Sequence, residues 1–213
     1  LDTQSNVLSL TVDARGVPAQ PQDISIVAGT LTSALTYTPV VTSPQYVTSI
    51  SCKVYNSTYP TDTTEVTGTL HLGSYKVHCY DGTVTNSNYV ISSYVDGNLT
   101  VTAIPRTFTT NFATLASSYA IGTTYPSLPT ISATVNQGVG PVTYSANSVC
   151  AVNSSGKVTN LYMAGTCTLT ASVAASGDYA AGSTSVSFQI TGVPRTLSWS
   201  TATLALGTTY QVS

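Results

Sequence analysis

The sequence predicts an all-β protein made of successive antiparallel β-sandwich domains of similar size. Short runs of alternating apolar and polar residues are typical of strands with one buried face. Gly, Pro, Asn and Ser separate these runs at regular spacing, as in sandwiches. No window combines a helical period with caps and good helix formers. We therefore expect both complete domains to be almost entirely strand and loop.

A recurring segment sets the domain organisation. Alternating runs lead into Pro18, Pro105 and Pro194, which fall at nearly equal intervals. A proline cannot donate to a sheet, so each is expected to mark the end of a strand. A fixed period is typical of similar domains in series. The residues after Pro194 echo those after Pro105: Ala202-Thr203-Leu204 matches Ala113-Thr114-Leu115, and Gly207-Thr208-Thr209-Tyr210 matches Gly122-Thr123-Thr124-Tyr125.

These intervals predict two complete modules flanked by fragments. Residues 1–17 are expected to be the closing strand of a preceding module, 18–104 the first complete module, 105–193 the second, and 194–213 the start of a third. Leu1 begins no signal peptide, so we expect any export signal upstream. The partial strands at both ends also predict a segment of a longer repeat, or a subunit that exchanges terminal strands with its neighbours.

Composition excludes several classes of function. Charged residues make up 7% of the 213 residues and the net charge is −2, so no basic surface is available for nucleic acid. No stretch approaches the ~20 consecutive apolar residues of a membrane-spanning helix. Abundant β-branched and aromatic residues with low net charge also disfavour disorder.

Two strands of the first module place cysteines in their apolar phase. The run 74–80 alternates so that Cys79 faces the core, and the run 48–55 does the same for Cys52. The expected inward residues are Tyr75, Val77 and Cys79 in one strand and Ile50, Cys52 and Val54 in the other. Cys52 and Cys79 are therefore predicted to form a disulfide.

The end of this module resembles a bacterial repeat. Asn88-Tyr89-Val90-Ile91 and Gly97-Asn98-Leu99-Thr100-Val101, with Gly73-Ser74-Tyr75 upstream, resemble the "mostly β, glycine-rich" (MBG) repeat. The resemblance covers about the second half of the module. It implies a β module of the kind found in large bacterial surface proteins.

The second module resembles a bacterial immunoglobulin-like repeat. Val149-Cys150-Ala151-Val152 and Ala164-Gly165-Thr166-Cys167-Thr168-Leu169-Thr170-Ala171 match its "VC-x-V" and "GTC-x-(L/I)-x-A" strands, and Asp178-Tyr179 and a final alternating strand follow. The resemblance implies an immunoglobulin-like β-sandwich with a disulfide between Cys150 and Cys167. Alternation independently predicts two inward sets: Cys167, Leu169, Ala171 and Val173, and Val186, Phe188 and Ile190.

The four cysteines favour disulfides over metal. No closely spaced Cys or His pair of the kind that binds zinc is present. Two persistent structural disulfides imply an oxidising compartment, so we expect an extracellular, cell-surface or secreted location.

The sequence offers little for catalysis, and we expect no enzyme activity, cofactor or metal. A serine nucleophile needs a positioned base, and the two histidines are His71 and His78. We expect His78 to be a solvated surface residue on the outward phase of its strand. Asp62 and Glu65 form the closest acidic pair, which we interpret as part of a polar turn rather than a hydrolase site.

Several surface features remain as candidates. Lys53 and Lys76 raise the hypothesis of a lysine–asparagine isopeptide, but both lie in the outward phase beside inward cysteines, so we favour the disulfide as the cross-link. The 14 tyrosines are candidates for stacking on sugars, and the outward row Thr166, Thr168, Thr170 is a candidate for ordering water; strand preference alone also explains both. The sequons that are candidate glycosylation sites are at Asn56, Asn98 and Asn153.

The function expected from these observations is structural. The chain is predicted to be a stalk, filament or sheath segment of an exported bacterial surface or adhesin protein, with neighbouring repeats or like subunits as its partners. Both families that the modules resemble commonly form spacers in such proteins. The alternatives are a module that binds glycan or another surface through exposed tyrosines, and an accessory region of a secreted hydrolase.

Overall fold

The structure is a computed structural model that describes residues 12–40, 47–123 and 127–198. These residues form strands and two short 3₁₀ turns, with no α-helix among them, which confirms the all-β class. The strands are β1 Arg15–Ala19, β2 Ile24–Val27, β3 Val47–Asn56, β4 Gly73–Val84, β5 Tyr89–Tyr94, β6 Gly97–Thr102, β7 Phe108–Thr110, β8 Ser118–Ala120, β9 Ala133–Val135, β10 Thr143–Ala146, β11 Cys150–Val152, β12 Val158–Leu161, β13 Gly165–Val173 and β14 Gly182–Thr191. The 3₁₀ turns are Thr32–Ala34 and Phe112–Thr114.

The described residues divide into two compact units. The first contains 12–40, 47–108, 135–141 and 173–182, and the second contains 109–123, 127–134, 142–172 and 183–198. The module boundaries drawn from the prolines stay a prediction. Most of the expected third module, from residue 199 onward, lies outside the described residues, as does most of the expected strand that precedes Pro18.

The first unit contains a four-stranded sheet in the order β2-β6-β4-β3 and a two-stranded sheet, β1-β5. The predicted alternation of β3 and β4 is confirmed, since Val54, Val77 and Cys79 are buried. The core also contains Ala28, Leu70, Leu99 and Val101.

The prediction that Pro18 ends a strand is wrong. β1 continues through Pro18 to Ala19, and its register with β5 shifts between Val17 and Pro18. A two-stranded sheet consists only of edge strands, where an irregularity can accommodate the missing N–H of a proline. The other two prolines behave as expected, because β6 ends before Pro105 and β14 ends before Pro194.

The second unit contains a four-stranded sheet, β10-β13-β14-β8, and a two-stranded sheet, β11-β12. The inward face predicted for β13 is confirmed, with Cys167, Leu169, Ala171 and Val173 all buried, and Phe188 and Ile190 of β14 are buried as well. The core of this unit also contains Leu128, Ile131, Cys150 and Val158. A further two-stranded sheet pairs β7 with β9.

A tight turn between β11 and β12 depends on a glycine. Gly156 has φ +81°, and a Cβ at this position would lie 2.1 Å from the carbonyl oxygen of Ile131. The Ile131 N–H donates to the Gly156 carbonyl at 2.9 Å. Only glycine combines this backbone conformation with so close an approach.

The sheets are mixed rather than purely antiparallel. β1 and β5, β2 and β6, and β8 and β14 are parallel pairs. The β3-β4, β4-β6, β10-β13 and β11-β12 pairs are antiparallel, as expected. Each parallel pair joins an early strand to a late one, so the connection between them has room for the crossover that parallel pairing requires.

Both predicted disulfides are present. Cys52 and Cys79 lie directly opposite each other on β3 and β4, with their Cα atoms 3.9 Å apart. Cys150 and Cys167 join β11 to β13, which belong to different sheets, with their Cα atoms 5.7 Å apart. The first bond therefore reinforces one strand pair, and the second ties two sheets together.

Candidate functional site

The densest group of chemically versatile side chains lies on the outer face of β3 and β4 in the first unit. We call Tyr55, Tyr59, His78 and Asp96 the aromatic cluster. β3 contributes Tyr55 and β4 contributes His78, while Tyr59 comes from the turn after β3 and Asp96 from the link between β5 and β6. The strand residues project outward because their neighbours Val54 and Val77 point into the core.

The rings of the aromatic cluster pack on one another. The ring centroids of Tyr55 and Tyr59 are 4.6 Å apart, and those of Tyr59 and His78 are 5.1 Å apart. Aromatic pairs at these distances attract beyond their simple area of contact. Tyr59 therefore holds the turn after β3 against the sheet. The rings of Tyr55 and Tyr59 thus pack against other side chains of the same unit. Glycan binding through exposed tyrosines stays a prediction.

His78 is more constrained than the sequence indicated. Its Nδ1 lies 2.7 Å from Asp96 Oδ1, and the two side chains are 32% and 29% exposed. His78 does lie on the outward face of β4, as expected, but its side chain is partly covered rather than fully solvated. Tyr59 and Asp96 cover it, and both come from outside β4, which is why the alternation of β4 alone could not indicate them.

The turn after β3 is also held by charged side chains. Lys53 Nζ donates to Glu65 Oε2 at 2.7 Å, and Asn56 Nδ2 donates to Asp62 Oδ2 at 3.1 Å. The Thr64 backbone N–H donates to Asp62 Oδ1 and is the main reason that the pKa of Asp62 is lowered. Asp62 and Glu65 thus have separate partners, which agrees with the interpretation of a polar turn.

A second histidine–carboxylate pair lies elsewhere in the first unit. His71 Nδ1 is 2.7 Å from Asp178 Oδ2, and the backbone N–H of Leu72 donates to Asp178 Oδ1 at 2.8 Å. The Leu72 bond is the largest cause of a lowered pKa at Asp178, followed by the bond from His71. His71 is 73% exposed, so this pair is open to solvent.

Neither histidine belongs to a complete catalytic arrangement in the described part of the chain. A serine-type triad needs a hydroxyl nucleophile on the second imidazole nitrogen. No hydrogen bond joins either imidazole to a hydroxyl group within residues 12–40, 47–123 and 127–198. The same residues contain no group of three or more His, Cys, Asp or Glu side chains able to hold a metal ion. The expectation of no enzyme activity stays a prediction.

Lys76, one of the two lysines considered for an isopeptide, belongs to a polar chain. Lys76 Nζ donates to Asn98 Oδ1 at 2.8 Å, and Asn98 donates through its backbone N–H and Nδ2 to Asp23. These bonds lower the pKa of Asp23, with the backbone N–H of Asn98 as the first cause. A carboxylate held ionised cannot act as the acid that amide exchange needs. The arrangement therefore favours the hydrogen-bonded network over a covalent link.

The candidate threonine row is partly occupied by neighbours on β14. Thr166, Thr168 and Thr170 do alternate with buried residues along β13, as predicted. Gln189 Nε2 donates to Thr166 Oγ1 at 3.0 Å, and Thr168 Oγ1 lies 2.9 Å from Ser187 Oγ. Two of the three hydroxyls thus stabilise the pairing of β13 with β14.

The three sequons are exposed but differ in how their side-chain amides are used. Asn56 Nδ2 donates to Asp62, and Asn98 Nδ2 donates to Asp23. Asn153 instead accepts through Oδ1 from the backbone N–H groups of Ser155 and Lys157 and from the Ser155 hydroxyl. Glycosylation at these sites stays a prediction.

Arg106 is a buried residue that no local sequence pattern indicated. Arg106 is 9% exposed, donates through Nη2 to Ser176 Oγ at 2.6 Å, and lies 5.5 Å from the ring centroid of Tyr179. Its Nε and Nη1 have no hydrogen-bond partner among the described residues. The feature of the sequence that draws attention to Arg106 is the triplet Pro-Arg-Thr, which occurs at 105–107 and again at 194–196.

A groove opens beside β3 in the first unit. Its volume is about 370 Å³, and its lining includes Tyr37, Cys52, Lys53 and Glu65. Burial is the first cause of a raised pKa at Tyr37, and the charge of Glu65 adds to it. The Glu65 carboxylate accepts the bond that raises the pKa of Lys53.

Comparison with known proteins assigns no family. No protein-family profile matches the chain, and no curated protein matches it. Among solved structures, it is similar to a SusE-like surface-located polysaccharide-binding protein from the Bacteroides thetaiotaomicron heparin utilisation locus, with 14% identity and a TM-score of 0.32 over 81% of this chain and 33% of that one. The chain is also similar to Drosophila N-cadherin EC1-3, with 14% identity and a TM-score of 0.27 over 84% of this chain and 66% of that one.

Mouse cadherin-23 EC22-24 is also similar, with 12% identity and a TM-score of 0.28 over 82% of this chain and 65% of that one. The chain thus spans from a third to about two thirds of the length of these structures. All three scores lie below 0.5, and they give this chain neither a family nor a function. Within the described residues, no helix is long and apolar enough to span a membrane.

Proposed function

We propose that the chain is a load-bearing segment of an exported bacterial surface protein, a stalk, filament or sheath made of MBG-type and immunoglobulin-like repeats. Its two disulfides fit an extracellular or surface location, because such bonds persist in oxidising compartments. One observation carries the proposal: both units pair an early strand with a late strand in parallel. In this role, neighbouring repeats are the partners.

Parallel pairing matters because of the direction in which the chain ends pull. In the first unit, β2 pairs with β6 from Ile24 opposite Leu99 to Val27 opposite Thr102. Tension enters β2 at its first residue and leaves β6 at its last, and these positions are at opposite ends of the pair. The bonds between the strands are therefore loaded in shear and must yield together. An antiparallel pair pulled from adjacent ends would open one bond at a time.

The bonds at the far end of this pair are well defined. The Ala28 N–H donates to the Thr102 carbonyl at 2.9 Å, and the Thr102 hydroxyl donates to the Ile26 carbonyl at 2.9 Å. β1 and β5 add a second parallel pair to the same unit. These contacts support a role in which the unit resists extension.

The second unit repeats the arrangement with other residues. β8 and β14 pair in parallel from Ser118 opposite Gln189 to Ala120 opposite Thr191. The Gln189 N–H donates to the Ser117 carbonyl at 2.9 Å, and the Ile121 N–H donates to the Thr191 carbonyl at 2.8 Å. The same mechanical geometry therefore occurs in two units whose strands differ in sequence.

Single-molecule force spectroscopy on the chain, held by its two ends, tests the proposal. Ala28→Pro removes the N–H that bonds to Thr102, whereas Val27→Pro is the matched control. Successive N–H groups along a strand point to opposite edges, so the Val27 N–H points away from β6, and β2 is an edge strand. We expect Ala28→Pro to lower the unfolding force of the first unit and Val27→Pro to leave it near the wild-type value. Equal forces for all three proteins would refute the shear mechanism.

A further inference from the structure

The two disulfides lie in very different surroundings. Cys150 and Cys167 are 3% and 0% exposed and belong to the core of the second unit. Cys79 is also fully buried, but its partner Cys52 is only partly buried. Cys52 packs against the edge of the core of the first unit, so one end of the first disulfide lies near the surface.

The groove beside β3 gives a reagent in solution access to this end. Cys52 is part of its lining, together with Thr32, Ser33 and Leu35 from the 3₁₀ turn region. Its volume of about 370 Å³ is large compared with the ~30 Å³ that a water occupies in the liquid. A small thiol can occupy such a space while the sheet remains intact.

We propose that Cys52–Cys79 is a thiol-exchange site for low-molecular-weight thiols, whereas Cys150–Cys167 is inert in the folded protein. The thiolate of the reagent attacks Cys52 Sγ, forms a mixed disulfide with it and expels the thiolate of Cys79. A second thiolate then attacks the reagent sulfur of the mixed disulfide and releases Cys52. The two reagent thiols are oxidised to one disulfide, and the protein disulfide is reduced to two cysteines that take protons from water.

The pairing of β3 with β4 allows the disulfide to be cut without separating the two strands. Cys52 and Cys79 lie on strands that also pair along most of their length, from Val47 to Asn56. The strand pairing therefore persists when the covalent bond is cut. Cys150 and Cys167 have no such direct pairing, because they belong to different sheets. The inference does not depend on the proposed mechanical role and can be tested separately from it.

The test exposes the folded, oxidised chain to millimolar dithiothreitol under native conditions. Samples are quenched with excess iodoacetamide in denaturant, so that a buried free thiol such as Cys79 is also labelled, and alkylation of each cysteine is followed by peptide mass spectrometry. We expect Cys52 and Cys79 to be alkylated at least about a hundredfold faster than Cys150 and Cys167, because the buried bond reacts only in the small population of opened molecules. Equal rates for the two pairs, or faster reaction of the second, would overturn the proposal.

A matched pair of variants tests the route of access. Ser33 lines the groove, whereas its exposed neighbour Ala34 belongs to the same 3₁₀ turn but not to the lining. Ser33→Trp is expected to slow exchange at Cys52 several-fold, and Ala34→Trp to leave the rate unchanged. If neither substitution changes the rate, or if both change it equally, the groove is not the route and the proposal fails.

Discussion

The length that each disulfide withholds from extension can be worked out from the structure. Cys52–Cys79 encloses a sequence separation of 27 residues and Cys150–Cys167 one of 17. At about 3.6 Å per extended residue, and less the Cα–Cα distances of 3.9 Å and 5.7 Å that the bonds already span, cutting these bonds adds roughly 93 Å and 55 Å to the unfolded chain. In force spectroscopy, the reduced chain should therefore extend by about 150 Å more than the oxidised chain when both units are unfolded.

Two double variants assign these increments to the individual bonds. Cys52→Ala with Cys79→Ala should show only the larger increment under oxidising conditions, and Cys150→Ala with Cys167→Ala only the smaller one. The same variants should lose about 3 to 4 kcal/mol of unfolding free energy in the affected unit, because the denatured chain regains the entropy of the open loop. Increments that do not match the two separations would mean that the cysteines pair otherwise in the folded protein and would refute the assignment.

Three further changes probe individual contacts. Asp178 has a lowered pKa, so the bond from the Leu72 N–H stabilises the fold at pH values above 3.8, the usual pKa of this carboxyl group. In urea titrations, Asp178→Asn should be less stable than wild type at pH 7. The difference in unfolding free energy should shrink as the pH falls below 3.8. Gly156→Ala should cost about 2 kcal/mol or more by thermal unfolding, since its Cβ would meet Ile131, and a neutral effect would contradict the backbone geometry. Arg106→Met should keep the unfolding free energy within about 1 kcal/mol of wild type, because two buried donors of the arginine have no partner. Arg106→Ala should lower the unfolding free energy by about 2 to 4 kcal/mol, because it removes the buried side chain. Equal losses for the two variants would show that the charge itself is needed.

The faces of the strands could be predicted from the sequence, whereas their neighbours could not. Alternation alone placed Val54, Cys79 and Leu169 in the core, because a period of two depends only on local backbone geometry. The parallel pairing of β2 with β6 joins residues about 75 positions apart, such as Ile24 and Leu99. No local pattern encodes that choice, because both strands would show the same alternation beside any partner.

The aromatic cluster could not be predicted from the sequence either, because its members come from segments that are distant in the chain. Tyr59 and Asp96 lie in connecting segments, and each reaches His78 only because the sheet brings those segments over β4. Arg106 is the instructive exception. The Pro-Arg-Thr triplet at 105–107 recurs at 194–196, but a recurring triplet does not indicate burial, and arginine is rarely buried without a charged partner.

The two disulfides have similar loop lengths but constrain the fold differently. Loop closure alone favours the folded state by about 3.6 kcal/mol for the longer loop and about 3.2 kcal/mol for the shorter, which is nearly equal. Cys52–Cys79 repeats a contact that the β3-β4 pairing already makes, so its loss leaves the sheet connected. Cys150–Cys167 joins two sheets that are otherwise held by side-chain packing in the core. Under tension, the second bond should therefore keep the sheets of its unit together after their outer strands have separated, which the first bond cannot do for its own unit.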